Sequence, residues 1–331
     1  MKALVYTGPE QLEFREAADP QAGNDGVVVK IDAVGICGSD MHAYLGHDER
    51  RPAPLILGHE AAGTIVEGPG LGKRVTINPL VTCRVCPACR EGRANLCPER
   101  QIISMPPREG AFAEAVGIPE TNVLELPEDL PFGHAALTEP LACSYHAVRL
   151  ASEASFRPLA ECRAVVLGGG AIGLGAALAL ADFGCHDIWI AETNTRRHGL
   201  LERAGDFKVF DPLGRNSLDA GTVDVVVDAF GGDATRAAAC ALAKPGGVIV
   251  HIGLASGDGG FDARRVTLQE LTFIGTYTFT PADFAATLNA IASGRLGALD
   301  WVEERPLSEG ARAFSDILAG EAAHPKIMLR P

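Results

Sequence analysis

Two different patterns of apolar and polar residues divide the chain. Over the first part, segments such as ALVYTG and VVVKIDAVGI have the short apolar runs of β-strands, separated by polar and glycine-rich stretches. From about residue 160, apolar runs such as RAVVL and VDVVVD are each followed by a stretch of helical length. Strands that alternate with helices indicate βαβ units and a doubly wound parallel sheet.

The change of pattern predicts two domains. A chain of 331 residues is longer than one hydrophobic core usually supports. We expect an α/β domain over residues 149–278 and a mostly-β part before it. After residue 278, DFAATLNAIASG and WVEERPLSEGARAFSDILAG have helical patterns, and HPKIMLRP indicates a last strand.

Composition and charge exclude several classes of protein. Hydrophobic residues make up 47% and charged residues 21%, as in ordinary globular proteins. A formal net charge of −13 opposes binding to nucleic acid or to acidic lipid surfaces. No apolar run is long enough to span a membrane, and the N-terminus lacks the pattern of a secretory signal, so we expect a cytoplasmic protein.

Four of the nine cysteines lie within fifteen residues, in the pattern CxxCxxCx7C. A reducing compartment keeps thiols free, so this cluster indicates a metal site rather than disulfides. Four thiolates suit a closed, structural zinc site, and metal binding would stabilise a segment with few apolar residues. An iron–sulfur site or a chance cluster is the alternative. The proposed ligands are Cys83, Cys86, Cys89 and Cys97.

A second group of candidate ligands lies upstream, in GICGSDMH and LGHEAAG. Taken singly, Cys37 would be a small buried residue and His59 a hydrogen-bonded core histidine. Together with the carboxylate of Glu60, they offer the mixed ligands of a catalytic zinc with an open coordination position.

A glycine-rich loop follows the strand RAVVL and precedes a helical stretch. Gly168, Gly170 and Gly173 form GxGxxG, with Ile172 inside it, and this arrangement binds a dinucleotide pyrophosphate at the helix N-terminus. Glu192 lies about twenty residues later, where a carboxylate accepts hydrogen bonds from the adenosine ribose.

The coenzyme predicted from these residues is NAD. Glu192 would repel the 2′-phosphate of NADP, which makes NADP the less favoured coenzyme. Arg197 could neutralise that phosphate or stack on adenine, or it could be a solvated arginine at a helix start. Ile252 and Tyr277 follow later strands, at the sheet edge where ligands lie, and are weaker candidates for contact with nicotinamide.

The order of these motifs resembles that of the zinc-containing medium-chain alcohol and polyol dehydrogenases. CGSDMH, GHEAAG, the four cysteines, TEPLACSYHAVR and the glycine-rich loop match that family from end to end. The resemblance implies a GroES-like catalytic domain of residues 1–148 plus 279–331 and a Rossmann domain of residues 149–278. It also implies an active site between the domains and a homodimer or homotetramer. One departure is the shortened run TIVEGPGLGKRV after GHEAAG.

The resemblance also implies roles for individual residues. Cys37 and His59 take the first two positions around a catalytic zinc, and Glu139 takes the third, directly or through water. Glu60 either enters coordination or stays beside the ligands. Without the motif, Glu139 would be read as a carboxylate at a helix start. A carboxylate at this position, where many alcohol dehydrogenases have cysteine, resembles the sorbitol dehydrogenase-like branch.

The implied function is oxidation of a secondary hydroxyl of a small polyol or sugar alcohol to a ketone, with NAD as hydride acceptor and two zinc ions per chain. Ser39 would accept the hydroxyl proton, His42 would pass it towards solvent, and Asp40 would orient His59. An L-threonine 3-dehydrogenase-like or simple secondary-alcohol dehydrogenase is the alternative. A non-catalytic protein that binds zinc and NAD is a further one.

Overall fold

The computed structural model describes residues 1–23, 25–214, 218–255 and 257–331. These residues form two compact units. The first consists of Met1–Glu139, Thr280–Ser293 and Val302–Pro331, and the second of Pro140–Phe279 and Gly294–Trp301. In the part of the chain that is described, no helix has the length and apolar character needed to cross a membrane.

Strands and helices follow the two sequence patterns. The strands are β1 (Lys2–Gly8), β2 (Gln11–Glu16), β3 (Gly26–Gly35), β4 (Leu55–Ile56), β5 (Glu60–Glu67), β6 (Arg74–Ile77), β7 (Leu80–Val81), β8 (Gln101–Ile102), β9 (Ala115–Pro119), β10 (Val123–Glu125), β11 (Arg163–Leu167), β12 (Asp187–Ala191), β13 (Lys208–Phe210), β14 (Val223–Asp228), β15 (Ala243–His251), β16 (Thr272–Gly275), β17 (Val302–Pro306) and β18 (Lys326–Arg330). The helices are α1 (Gly38–Tyr44), α2 (Pro87–Arg90), α3 (Phe132–Ala136), α4 (Thr138–Ala154), α5 (Ala171–Asp182), α6 (His198–Ala204), α7 (Asp233–Leu242), α8 (Ala263–Leu268), α9 (Pro281–Ala292) and α10 (Gly310–Leu318).

The first unit is built on a sheet in the order β10-β6-β5-β3-β18-β17, with β9 also paired to β3. A smaller sheet has the order β2-β1-β4. Strand β3 has neighbours on both sides, and its apolar residues are buried on both faces of the sheet. It pairs with β5 on one side and with β18 on the other, so that Gly35 lies opposite both Glu60 and Met328. The last strand of the chain is thus beside the segment that leads to Cys37.

The second unit contains a parallel sheet in the order β13-β12-β11-β14-β15-β16. The strands of this sheet carry Val165, Val226 and Ile249 into a buried core. Strand order reverses at β11, and in open sheets of this type ligands bind beyond the carboxyl ends of the strands at such a point. The α/β fold with a doubly wound sheet, as predicted from the sequence, is confirmed.

Two segments with unusual sequence patterns, Val302–Pro306 and the run after GHEAAG, have a simple structural explanation. The helical interpretation is wrong over Val302–Pro306, which forms β17 and pairs in parallel with β18. Three consecutive charged residues are tolerated there because β17 is an edge strand, on which Arg305 is paired to Glu303 and Asp316. The shortened run after GHEAAG contains the end of β5, the connection to β6 and the start of β6, and these two strands form an antiparallel pair.

Asp187 should contribute a pH-dependent part of the stability of the second unit. Burial opposes its charge, but hydrogen bonds from Lys208, Arg163 and Trp189 outweigh this effect and lower the pKa of Asp187 to about 2. The stabilisation is present above the pKa of about 3.9 in the unfolded chain and is lost as the pH falls towards 2. We expect Asp187→Asn to lower the free energy of unfolding by about 1 kcal/mol at pH 7.

Urea unfolding at pH 7 and pH 3 measures this difference, with exposed Asp206→Asn as the control. The deficit of the Asp187→Asn variant should shrink at pH 3. A deficit of the same size at both pH values would contradict the assignment.

Candidate metal centres and coenzyme site

The register between β3 and β5 brings Cys37 and His59 together. Gly35 pairs with Glu60, so Cys37 follows one strand where His59 precedes the other. The ligand atoms of Cys37, His59 and Glu60 all lie within 4.8 Å of one another. A cysteine sulfur, an imidazole and a carboxylate therefore converge from two segments of the first unit.

Asp40 connects the two ligand-bearing segments. Its carboxylate accepts the backbone N–H of Cys37 at 3.0 Å and that of Gly58 at 3.3 Å, and it lies 3.4 Å from Nδ1 of His59. Burial would raise the pKa of Asp40, but His59, Arg51 and the Cys37 N–H outweigh burial and lower it. Burial likewise opposes a charged His59, but Asp40 and Cys37 hold the pKa of His59 well above its ordinary value. Because Nδ1 faces Asp40, Nε2 is the nitrogen available to a metal ion.

Arg51 supports the same region and was not identified from the sequence. This buried guanidinium donates to the carbonyls of Ser104 at 3.0 Å and Ser39 at 3.1 Å, and to the carboxylate of Asp48 at 2.9 Å. The hydroxyl of Ser104 lies 3.4 Å from Nδ1 of His59. The sequence gives little signal for this role, because Arg51 stands beside another arginine in a loop.

Glu60 is bound by Lys326, which the sequence analysis also missed. Both side chains are buried, and Nζ of Lys326 lies 2.7 and 2.6 Å from the two carboxylate oxygens of Glu60. Burial alone would lower the pKa of Lys326, but Glu60 and Cys37 outweigh burial and raise it. The signal in the sequence is a lysine directly before the three apolar residues of β18.

Glu139 is buried at the start of α4. Among the described residues, its carboxylate is outside the group of atoms that lie within 4.8 Å of one another. Burial, together with the charges of Glu60 and Asp40, raises the pKa of Glu139 to about 7, although His59 and Lys326 oppose this shift. Glu139 therefore belongs to the same electrostatic cluster as the three converging residues.

Helix α1 carries the residues of the predicted proton path. It begins directly after Cys37, and Ser39 and His42 lie three residues apart, on one helical face. Both are partly exposed, whereas Asp40 between them is fully buried. The helix thus presents a hydroxyl and an imidazole on one side and the carboxylate on the other.

The four cysteines of the lobe also converge. Cys83 Sγ lies 3.5 Å from Cys97 Sγ and 4.0 Å from Cys89 Sγ, and Cys86 completes the group. Zn–S bonds of about 2.3 Å in a tetrahedron separate sulfur atoms by about 3.8 Å, so this set fits zinc. Backbone N–H groups of Val85 and Cys86 lower the pKa of Cys83 to about 6, which favours the thiolate that a metal requires. All nine cysteines are free of disulfides.

The first site fits a zinc ion as well. It offers sulfur and nitrogen atoms with a carboxylate beside them, and its histidine has the carboxylate partner that metal-binding imidazoles usually have. With two or three protein ligands, an ion held here would keep at least one coordination position open, unlike an ion in the closed lobe.

In the second unit, the glycine-rich loop joins β11 to α5. Gly168 has φ of 103°, and a Cβ at Gly173 would lie 1.7 Å from the carbonyl oxygen of Gly168. A Cβ at Gly170 would meet no protein atom within 4 Å, which leaves the helix N-terminus open to a phosphate. Ile172, at the start of α5, accepts a hydrogen bond at its carbonyl from Ser144.

Glu192 is anchored at the end of β12. Its carboxylate accepts the backbone N–H of Gly169 at 2.9 Å and that of Asn194 at 2.7 Å. Nη1 of Arg197 lies 3.6 Å from the same carboxylate, and Nε of Arg197 is buried without a hydrogen-bond partner among the described residues. Glu192 is therefore fixed beside the glycine-rich loop, and Arg197 is next to it.

The remaining coenzyme candidates follow the carboxyl ends of parallel strands. Ile252 follows β15 and Tyr277 follows β16, and both are partly exposed. Asp228, which the sequence analysis did not single out, is fully buried at the end of β14. It accepts the N–H groups of Phe230 and Gly231, and its backbone carbonyl accepts the N–H of Ile252. Asp228 thus shapes two of the loops at this edge.

Comparison with known proteins shows the family of the chain. The family model described as "Alcohol dehydrogenase GroES-like domain" matches residues 23–128, and that described as "Zinc-binding dehydrogenase" matches residues 171–293. L-galactonate-5-dehydrogenase of Escherichia coli K12 is 32% identical over 314 residues, which cover 90% of this chain and 89% of that protein. Sorbitol dehydrogenase of Bacillus subtilis is 33% identical over 273 residues, which cover 77% of this chain and 76% of that protein.

A solved structure supports the same relationship. A protein of Sinorhizobium meliloti 1021, crystallised bound to NADP, superimposes with a TM-score of 0.89 at 28% identity, covering 100% of this chain and 99% of the other. The chain belongs to the zinc-containing medium-chain alcohol and polyol dehydrogenase family. It is an oxidoreductase of the zinc-containing, NAD(P)-dependent class.

The two metal centres should respond differently to loss of one cysteine. We expect Cys89→Ser to remove one zinc per chain and to lower the melting temperature, because metal binding supplies the folding free energy of the lobe. Cys37→Ser should remove the other zinc and abolish oxidation, with little change in melting temperature. Metal analysis of both variants measures the zinc content per chain, and thermal unfolding measures the melting temperature. Full zinc content and activity in Cys37→Ser would contradict the assignment of the first site.

Glu192 should control the choice of coenzyme. Glu192→Gln keeps a hydrogen-bond acceptor for the loop but removes the charge that repels a 2′-phosphate. We expect the ratio of kcat/KM for NAD over NADP to fall by about tenfold, on the order of 1.4 kcal/mol. An unchanged ratio would show that Glu192 does not discriminate between the coenzymes.

Proposed function

We propose that the chain oxidises a secondary hydroxyl of a small polyol or sugar alcohol to a ketone, with NAD as coenzyme. The observation that carries this proposal is the convergence of Cys37, His59 and a carboxylate in the first unit. Such a donor set suits a zinc ion that has a free position for substrate. A glycine-rich loop with an anchored Glu192 in the second unit supports NAD.

The substrate class rests on the carboxylate at Glu139 and on the relatives. Glu139 lies in the motif TEPLAC, whose carboxylate resembles that of the sorbitol dehydrogenase-like branch. The two relatives described above are named for sorbitol and L-galactonate, both polyhydroxylated compounds. A polyol with a secondary hydroxyl is therefore the substrate that we favour over L-threonine or a simple secondary alcohol.

The oxidation removes a hydride and a proton from the substrate. NAD, when bound, would supply the hydride acceptor, and zinc, when bound, would supply a Lewis acid. The side chains of this protein have to position the substrate and move the proton. Ser39 is placed to accept the hydroxyl proton, and His42 on the same face of α1 is placed to pass it to solvent, because the pKa of imidazole lies near neutrality. Asp40 keeps His59 oriented throughout.

Turnover with a substrate panel tests the proposal. The panel contains sorbitol, xylitol, L-galactonate, L-threonine and 2-butanol, each with NAD and with NADP. We expect the highest kcat/KM for a polyhydroxylated substrate with NAD. Turnover confined to L-threonine or 2-butanol would replace the proposal by that alternative, and no turnover with zinc fully loaded would favour a non-catalytic protein. A cytoplasmic location and a homodimer or homotetramer stay predictions.

A further inference from the structure

Lys326 is a buried ammonium group with a complete set of partners. Its Nζ donates to both carboxylate oxygens of Glu60 and, at 2.8 Å, to the carbonyl of Ile36, the residue before Cys37. Only 4% of Lys326 is exposed, and Glu60 is fully buried. An ammonium group has three N–H donors, so these contacts satisfy it, whereas an unpaired buried charge would be strongly unfavourable.

The sheet also provides a fixed place for the Glu60 carboxylate. Gly35 lies opposite Glu60 in the ladder between β3 and β5, and a Cβ at Gly35 would lie 2.1 Å from Oε2 of Glu60. The carboxylate thus occupies the space that a side chain at Gly35 would fill. Strand β18, on the other side of β3, supplies the ammonium. Three strands together hold this one side chain.

The two glutamates near the metal ligands are in different situations. Glu60 is close enough to Cys37 and His59 to reach an ion that they bind, but both of its oxygens already receive Lys326. Among the described residues, Glu139 receives no ammonium group at hydrogen-bond distance. It is buried, and it interacts electrostatically with His59 and Glu60, which places it in the same cluster. A carboxylate without a competing cation is the better ligand for a divalent ion.

We propose that Lys326 is a positioning residue that holds Glu60 away from the catalytic zinc. Cys37, His59 and Glu139 then supply the protein ligands, and one coordination position stays open for substrate. Lys326 also offsets the negative charge of a site that contains one thiolate and several carboxylates. This inference rests on the proposed function, because it assigns a role within the same metal site.

The experiment compares Lys326→Met with wild type after Co²⁺ is exchanged into the Cys37 site. Visible absorption of Co²⁺ is strong in four-coordinate sites and weaker when a fifth ligand joins. We expect Lys326→Met to free Glu60 for coordination, which weakens the visible bands, slows release of Co²⁺ to a chelator about tenfold and lowers kcat. The same exchange on Cys37→Ser gives the contribution of the lobe for subtraction.

Two further variants identify the cause. Glu60→Gln alone should leave the cobalt spectrum as in wild type, because the proposal makes Glu60 a non-ligand. Lys326→Met with Glu60→Gln should restore the spectrum and the rate of metal release. Lys30→Met, at an exposed position of β3, is the matched control and should change nothing.

Two results would overturn the proposal. One is a wild-type spectrum and release rate in Lys326→Met. The other is an altered cobalt spectrum in Glu60→Gln, because it would show that Glu60 is itself a ligand. This second result can be obtained even if Lys326→Met does not fold. The cobalt spectra and release rates do not depend on the substrate panel. If no polyol is oxidised but the cobalt results are as expected, only the proposed function is contradicted.

Discussion

The buried carboxylate of Asp40 is the contact on which the arrangement of the metal ligands depends. It accepts the backbone N–H of Cys37 and that of Gly58, the residue before His59, and it faces the imidazole of His59. A fully buried carboxylate is unfavourable unless hydrogen bonds and an opposite charge offset its desolvation. Because those partners are the ligand-bearing segments themselves, the interaction that stabilises Asp40 also fixes Cys37 and His59.

The rest of the cluster follows from the same balance of charges. Glu60, Glu139, His59 and Lys326 are all buried in the first unit. Burial has the largest influence on the pKa values of Glu139, His59 and Lys326, and the charges of neighbouring residues raise the pKa values of His59 and Lys326 against it. The lysine comes from the last strand of the chain, 266 residues from Glu60. The site is therefore complete only when β18 has joined the sheet beside β3.

Features with a local pattern could be predicted from the sequence. The strands and helices around the glycine-rich loop, the four-cysteine lobe and the sequence of Cys37 through His42 each depend on nearby residues. Lys326, Arg51 and the space at Gly35 depend on strand register between distant segments, which one sequence does not show. Strand β17 was missed because its charged residues at an exposed edge resemble a helical pattern.

Crystallographic anomalous scattering at the zinc edge, on the protein loaded with zinc and NAD, is the most direct measurement of the central claim. The account predicts one ion in the four-cysteine lobe and a second at about 2.3 Å from Cys37 Sγ and about 2.0–2.1 Å from His59 Nε2, with Glu139 as the carboxylate ligand. An absent second ion, or one too far from Cys37 and His59 to be bound by both, would contradict it.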